Sequence, residues 1–548
     1  MATITGSEVL AQALRSQGVD TMFYLMGGPM LETEAACIKL GIRAIDHRHE
    51  QAASLAAHAY TRVMRRPGVC MGCSGPGATN LVTGVANAFT DCAPLVAIGG
   101  ASPRVYQGME AFQEIDQLAV MRPVTKWAER IYDAKRIPDV VATAFRQATS
   151  GRPGPVYLDL PGDILGEPVD EGSLTYGPAW KPAPRTLGDP GAVREAIALL
   201  ARAERPVVIA GSGVWWSDGA AALQAFVEAA GIPFYTKPIS RGLIPEDHAL
   251  SFLNARSKAF TEADVVVAVG TRFDWVIQFG RPPRFAADLK VIHVDVNPGE
   301  LGHNRHADVP IAGDARAVLE QLRAEAEGTL DPRRFATWTG KLRVLDGEKA
   351  SEQDKAMSND NTPIHPLRLC KEVRDFLKRD AILVVDGQEI LNFGRQAIPT
   401  FTPGHRLNSG AFGCMGVGLP FGLGAKVAKP DTQVVVLHGD GSYGINAMEI
   451  DTAVRHRIPV VVVISNNGGW TADAPWTRPL PKPGRNLGHT RYDRVAQELG
   501  AHGEFVEKPH DIRPALERAY ASGKPAVVNV ITDHKARAQT VRFSAYTT

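Results

Sequence analysis

The chain has 548 residues, more than one hydrophobic core accommodates, so about two to four domains are expected. Its 60 basic residues against 59 acidic ones leave a formal charge of +1, which argues against a nucleic-acid-binding or membrane-surface protein. Six cysteines in a chain this long do not make a disulfide framework, and no apolar run approaches membrane-spanning length, so a cytoplasmic protein is expected.

The opening "MATITGSEVLAQALRSQG" reads as a capped amphipathic helix rather than a secretory signal. From there to about residue 166, short apolar runs alternate with helical stretches. "TMFYLMGG", "PGVCMGCSGPG", "PLVAIGG" and "GPVYLDLPG" each end in Gly, Pro or Asp, as buried parallel strands do. Cys70 and Cys73 form a lone CxxC in one of these runs and read as small strand residues, since no second pair completes a zinc site. Residues 167–185 are rich in Pro and Gly and read as a linker. A second block, 190–325, contains "RPVVIAGSGV", "ADVVVAVGTRFDW" and "KVIHVDVNPGELG". A polar stretch, about 328–361, joins it to a third block, 362–535, which holds "AILVVDGQE", "TQVVVLHGDG", "IPVVVVISNN" and "PAVVNVITD". The tail 536–548 belongs to no repeat of the pattern. The expected fold class is α/β, with three doubly wound parallel-sheet domains.

The third block carries the sharpest chemical signal. "TQVVVLHGD" is a strand with Asp440 at its carboxyl end, and "IPVVVVISNN" is the next strand, ending at Asn467. Ligands bind at the carboxyl ends of strands in an open parallel sheet. A carboxylate, an amide oxygen and a free carbonyl suit a hard cation such as Mg2+, which completes its shell with phosphate oxygens. Gly441 and Ser442, before a helix, would meet those phosphates. Ordinary turns also use Gly, Asp and Asn, so the spacing on a βαβ frame is what favours the cation site.

This pattern resembles the diphosphate-and-metal motif of thiamine diphosphate-dependent enzymes. The resemblance implies the three-domain fold of that type: pyrimidine-binding, central nucleotide-binding-like and diphosphate-binding. It puts the metal ligands on Asp440, Asn467 and the carbonyl of Gly469, and diphosphate contacts on Gln388, Gly441 and Ser442. Glu50, at a strand-to-helix transition in "DHRHEQAASLAAHAYTR", matches the family's acid. A carboxylate there shares a proton with the aminopyrimidine and favours the tautomer that makes the C2 ylid. Pro76 and Asn80 of "SGPGATN" match the pyrimidine-side loop, and Gly413 and Met415 of "LNSGAFGCMGVGLPFGLG" match the segment that bends the cofactor and bonds its pyrimidine edge. His47 and His49 read as local hydrogen-bonding histidines.

Within the family, "VGTRFDWVIQFGRPPRF" and "VDVNPGELGHNRHADVPIAGD" resemble the branch of 2-hydroxyacyl-CoA lyases and oxalyl-CoA decarboxylases. Phe112, Gln113 and Glu114 resemble the lyases, with Gln113 and Glu114 ordering the substrate hydroxyl or a water. Arg395, Arg272 and a tail arginine (Arg537 or Arg542) are the expected partners of CoA phosphates, and the tail is expected to fold over the CoA site. Gly387-Gln388-Glu389 stands where the branch has Gly-Ala-Asn; Glu389, an acid so near a diphosphate, is expected to point away from it, hold a proton or face the substrate. Trp470 is larger than its counterparts, so the acyl pocket is expected to be small. The implied reaction cleaves a short or branched 2-hydroxyacyl-CoA, such as 2-hydroxyisobutyryl-CoA, to formyl-CoA and an aldehyde or ketone. Oxalyl-CoA decarboxylase and an acetolactate synthase-like carboligase on 2-oxo acids stay open as alternatives. The resemblance further implies a homodimer or homotetramer, and leaves ADP open as a ligand of the central domain.

Overall fold

The computed structural model describes residues 2–182, 184–470 and 483–538. Among them, the chain forms three open parallel sheets, one per block. The first has the order Arg43–Asp46, Thr21–Tyr24, Gly68–Gly72, Leu95–Ala101, Val156–Pro161, Trp127–Arg130. The central one runs Phe234–Thr236, Pro206–Ala210, Val265–Val269, Lys290–Asp295, Val309–Ala312. The third runs Arg406–Leu407, Ile382–Asp386, Val434–Gly439, Val461–Asn466, Ala526–Ile531, His502–Val506. The inner strands are continuous apolar runs, buried along nearly their whole length because helices cover both faces. In every sheet the order reverses between the first and third strand of the block, which opens a crevice at their carboxyl ends.

The expected amino-terminal helix spans Gly6–Ser16, with Thr5 and Glu8 forming a capping box. Two features depart from the expected pattern. The linker begins with a strand, Pro168–Asp170, paired antiparallel with Thr3–Thr5. The polar stretch is a 22-residue helix, Ala336–Met357, which buries only Trp338, Thr339, Leu342 and Met357. So few apolar anchors leave no periodicity for a sequence reading to detect. No helix among the described residues is long and apolar enough to cross a membrane.

The first and third blocks share one core. It runs from Phe23 and Leu95 through Leu55 and Ala56 to Phe421, Val436 and Val462. At its centre helix Glu50–Met64 packs against helix Gly418–Ala428. A Cβ on Gly424 would lie 2.1 Å from the Ala56 carbonyl, so glycine is what permits this approach. His58 meets Phe421 edge-on at 5.1 Å, and Arg62 lies 5.7 Å above the same ring. Arg62 also donates to the Asn408 carbonyl at 2.7 Å. The two helices therefore run past each other in opposite directions, with Arg62 near Asn408 and Glu50 at the far end.

Candidate active site

The crevice of the third sheet collects most of the predicted residues. Its lining includes Gln388, Glu389, Met415, Asp440, Gly441, Ser442, Asn467, Gly469 and Trp470. Asp440 follows strand Val434–Gly439 and is 2% exposed; one oxygen, Oδ2, is buried without a partner. Burial raises its carboxyl to about 6, against backbone N–H groups that lower it. The Asn467 side chain places an atom 3.0 Å from Asp440 Oδ1 and 2.8 Å from the Gly469 carbonyl oxygen. As a nitrogen that atom would donate to both. As an oxygen it joins two other acceptors, a clustering that a cation satisfies. Neighbouring ligands of an octahedral cation with bonds near 2.05 Å lie about 2.9 Å apart. An Asn467 oxygen at that position would have that spacing from both Asp440 Oδ1 and the Gly469 carbonyl, and the unpartnered Oδ2 adds a further acceptor, so the donor set fits Mg2+.

Backbone geometry makes this cluster possible. Gly469 has φ +152°, and a Cβ there would lie 2.0 Å from the Arg485 carbonyl oxygen. Trp470 N–H donates to that same oxygen at 2.8 Å, so the loop is pinned to residues 485–487. The Trp470 ring lies against Gly441, where a Cβ would come within 2.9 Å of it. Trp470 thus walls the cleft directly beside the Asp440 loop. The Ser442 hydroxyl turns inward, donating to the Gly439 carbonyl at 3.0 Å and meeting His438 Nδ1 at 3.1 Å. Its contribution to a diphosphate would be its backbone N–H.

Gln388 is exposed at the start of helix Glu389–Ala397, and its carbonyl accepts from the Asn392 amide at 3.0 Å. Glu389 Oε2 accepts from the Ala538 N–H at 2.8 Å, so this acid holds the chain where it enters the tail. The tail beyond Ala538, with Arg542, lies outside the described residues. Gly413 has φ +72° with open space on its Cβ side, leaving its backbone accessible to a flat ring.

One organising residue escaped the sequence reading. Asp386 ends strand Ile382–Asp386 and is 3% exposed. Its Oδ2 accepts from Gly418 N–H at 2.9 Å. Burial raises its carboxyl to about 6, opposed by the N–H groups of Gly418, Gly387, Gly416 and Val417. Asp386 therefore gathers the turn that follows Met415. The available signal was an acid ending the first strand of the block, beside the point where strand order reverses.

The crevice of the first sheet holds the pyrimidine-side residues. Glu50 is 5% exposed and opens its helix, capped by His49. Asn80 Nδ2 donates to Glu50 Oε2 at 2.9 Å, which pairs the two predicted residues. Pro76 is exposed at the first position of helix Pro76–Thr90. Ser74 Oγ donates to Gln113 Oε1 at 2.7 Å, with Gln113 in a left-handed conformation at φ +61°. Glu114 accepts from the N–H groups of Gly108 at 2.5 Å and Ala111 at 2.9 Å, and these bonds hold its carboxyl below the usual range. Both its oxygens are engaged by its own loop. Phe112 is 85% exposed, in an apolar rim with Val105, Tyr106 and Met109. His47 is buried, its Nδ1 bonded to the Ile45 carbonyl, and burial pushes it down to about 3.

The central sheet's crevice is a cavity of about 260 Å3, bordered by Cys92, Arg152, Gly213, Lys237, Thr271 and Arg272. Arg272 donates to the Thr90 carbonyl, which ties the central block to the first.

Three family models match in order: the thiamine pyrophosphate enzyme N-terminal TPP binding domain over residues 4–120, the central domain over 193–322 and the C-terminal TPP binding domain over 391–530. The chain is 38% identical to the acetolactate synthase large subunit of Mycobacterium tuberculosis, across 97% of this chain and 96% of that one. It is 34% identical to 2-hydroxyacyl-CoA lyase 1 of Mus musculus, across 97% and 94%, and 34% identical to oxalyl-CoA decarboxylase of Escherichia coli, across 96% and 95%. With an acid–asparagine pair in one crevice, a cation-shaped oxygen cluster in another and these matches along its length, the chain belongs to the thiamine pyrophosphate enzymes.

Proposed function

We propose that the protein is a carbon–carbon lyase that cleaves a 2-hydroxyacyl-CoA to formyl-CoA and an aldehyde or ketone, using thiamine diphosphate and Mg2+. The observation that carries this reading is a group of arginines without acids. Arg256, Arg284 and Arg395 have no carboxylate at ion-pair distance among the described residues. Arg256 and Arg284 lie over the Phe260 ring at 5.5 and 5.1 Å, and Arg395 donates to Asn392 Oδ1 at 3.0 Å. Burial, then the charges of Arg395, Arg284 and Arg241, push Arg256 down to about 9. Such a cluster is relieved by a polyanion. Arg395 lies on helix Glu389–Ala397, whose first residue lines the cofactor cleft. A CoA ester, with phosphates at one end and a thioester at the other, fits that arrangement; a free 2-oxo acid leaves the arginines unused.

In this reading Asp440, Asn467 and the Gly469 carbonyl hold the cation, and the N–H groups of Gly441 and Ser442, with Gln388, meet the diphosphate. Gly413 and Met415 support the pyrimidine. Bound thiamine diphosphate supplies a carbanion that adds to a carbonyl carbon and stores the electron pair of the bond that breaks. Glu50 exchanges a proton with the pyrimidine nitrogen through Oε1, while Asn80 holds Oε2. Gln113, fixed by Ser74, orders the substrate's 2-hydroxyl, and Glu114 keeps that loop in shape. Phe112 and Trp470 bound a small acyl space, which favours a short or branched chain such as 2-hydroxyisobutyryl-CoA.

Two copies are needed to assemble one site. Along helix Glu50–Met64, Glu50 and Arg62 are separated by about 18 Å. Arg62 is the residue that faces the Asn408 end, from which the chain leads to Met415. One chain thus keeps its Glu50 away from its own Met415, and a second copy supplies the acid. The apolar rim around Phe112 and the exposed Phe412, Ile445 and Met448 of the third block suit such a contact. The central cavity, at the strand-order reversal and bordered by Arg152 and Arg272, suits an adenine nucleotide such as ADP.

The 38% identity to an acetolactate synthase favours a second reading, carboligation of 2-oxo acids. Incubation with 2-hydroxyisobutyryl-CoA, oxalyl-CoA and pyruvate in parallel separates them. Formyl-CoA and acetone are expected from the first; turnover of oxalyl-CoA or pyruvate alone would reject the lyase.

A further inference from the structure

We infer that Glu449 is a positioning residue for Glu50: from the third block, its buried carboxylate holds the turn that delivers that acid. The inference rests on the reading of Glu50 as the pyrimidine acid.

The turn Asp46–His49 joins strand Arg43–Asp46 to helix Glu50–Met64, so its backbone sets where the Glu50 side chain starts. Within the first block, its support is slight: His47 N–H donates to the Tyr24 carbonyl, and His49 caps the helix. The third block supplies the rest. Glu449 Oε1 accepts from the Arg48 N–H at 3.0 Å, two residues before Glu50. Thr452 Oγ1 donates to Glu449 Oε2 at 2.6 Å. Glu449 is 1% exposed, and a carboxylate so buried is costly unless its oxygens are used. These two bonds use one oxygen each. Burial also raises its carboxyl to about 7.

Flanking contacts hold the same turn at its edges. His456 Nε2 meets Asp46 Oδ1 at 2.6 Å, Arg455 donates to the Asp46 carbonyl at 3.1 Å, and the Arg48 guanidinium reaches Asp451 at 3.7 Å. Those are partly exposed and hold the backbone at Asp46, whose N–H also donates to His456 Nε2 at 3.2 Å; Glu449, buried, bonds the backbone two residues before the acid. Glu449 opens helix Glu449–Arg455, directly after helix Asp440–Ile445. The stretch of chain that carries the metal-side acid therefore also carries the support of Glu50.

The test is deuterium exchange at C2 of bound thiamine diphosphate without substrate, read by quenched NMR, beside cofactor Kd and Tm. Glu50→Gln is expected to slow exchange about 100-fold or more. An unchanged rate in Glu50→Gln would reject the reading of Glu50 itself, and the inference with it. Given a slow Glu50→Gln, Glu449→Ala is expected to slow exchange about tenfold at saturating cofactor, as for a displacement of the acid smaller than the roughly 1 Å that costs about 100-fold. Glu449→Gln keeps an oxygen for the Arg48 N–H and is expected within about threefold of wild type. Three results overturn the inference: wild-type exchange in Glu449→Ala, a loss confined to Kd and Tm, or equal losses in the Gln and Ala variants. Should Glu449→Ala fail to fold, Thr452→Val decides, with about threefold slower exchange expected and an unchanged rate overturning the inference.

Discussion

The first and third sheets share one strand order, 2-1-3-4-6-5 counted along each block, yet their crevices hold different chemistry. The third gathers polar groups: one atom of the Asn467 amide lies 3.0 Å from Asp440 Oδ1 and 2.8 Å from the Gly469 carbonyl oxygen. The first offers a buried acid, Glu50, tied to Asn80 and rimmed by exposed apolar residues. Topology supplies a crevice in both cases, and the loops decide what it binds. The contrast extends to buried acids. Asp440 Oδ2 and Glu34 Oε1 are both buried without partners, and a cation accounts for the first only.

The largest expected effect tests the proposed splitting of the site between copies. Asp440→Ala is expected to weaken combined Mg2+ and thiamine diphosphate binding about 100-fold, near 3 kcal/mol, measured by fluorescence titration. Glu50→Gln is expected to bind the cofactor within about threefold of wild type while losing most turnover. Co-expressed, these two inactive chains are expected to recover about one quarter of wild-type activity. Half the dimers would then be mixed, each with one intact site. No recovery would show that both crevices of one site come from one chain.

A smaller effect concerns the arginines. Arg256→Ala and Arg284→Ala are each expected to raise KM for the CoA ester about tenfold, near 1.4 kcal/mol, with kcat unchanged. An unchanged KM would turn attention to the acetolactate synthase-type reading.

An effect on stability separates the two acids that each bury one unpartnered oxygen. Glu34 is 5% exposed, and burial pushes its carboxyl from 4.5 to about 7. The unfolded chain therefore releases this proton first, and stability falls as pH rises from about 4.5 to 7. Glu34→Gln removes that loss. Its Tm is expected to exceed wild type at pH 8, by roughly 1–3 kcal/mol of unfolding free energy, and to match it at pH 4. A Tm below wild type at pH 8 would mean that the ionised Glu34 has a partner, as Asp440 would with its cation.

Much of the third crevice was legible because its chemistry is local. Asp440 and Asn467 each end a strand, one βαβ step apart, and the glycines around them mark the loops. Glu389 was the weak point: its partner is the Ala538 amide, distant in sequence and unmarked by any residue type. Trp470 was read from its size as an acyl-pocket wall, whereas its contact with Gly441 depends on how two loops meet. Helix Ala336–Met357 left no apolar stripe to read.

The sequence by itself determined three parallel-sheet blocks and the polar residues at strand ends, because apolar periodicity and turn chemistry act over short stretches of chain; the cofactor followed from the resemblance of its motifs to a known family. Tertiary structure decided the rest. It set the opposed pairing of helices Glu50–Met64 and Gly418–Ala428, the gathering of Arg256, Arg284 and Arg395, and the hold of Glu449 on the turn before Glu50. Each joins residues from distant parts of the chain, where a hydrogen bond or a shared charge leaves no periodic trace in the sequence.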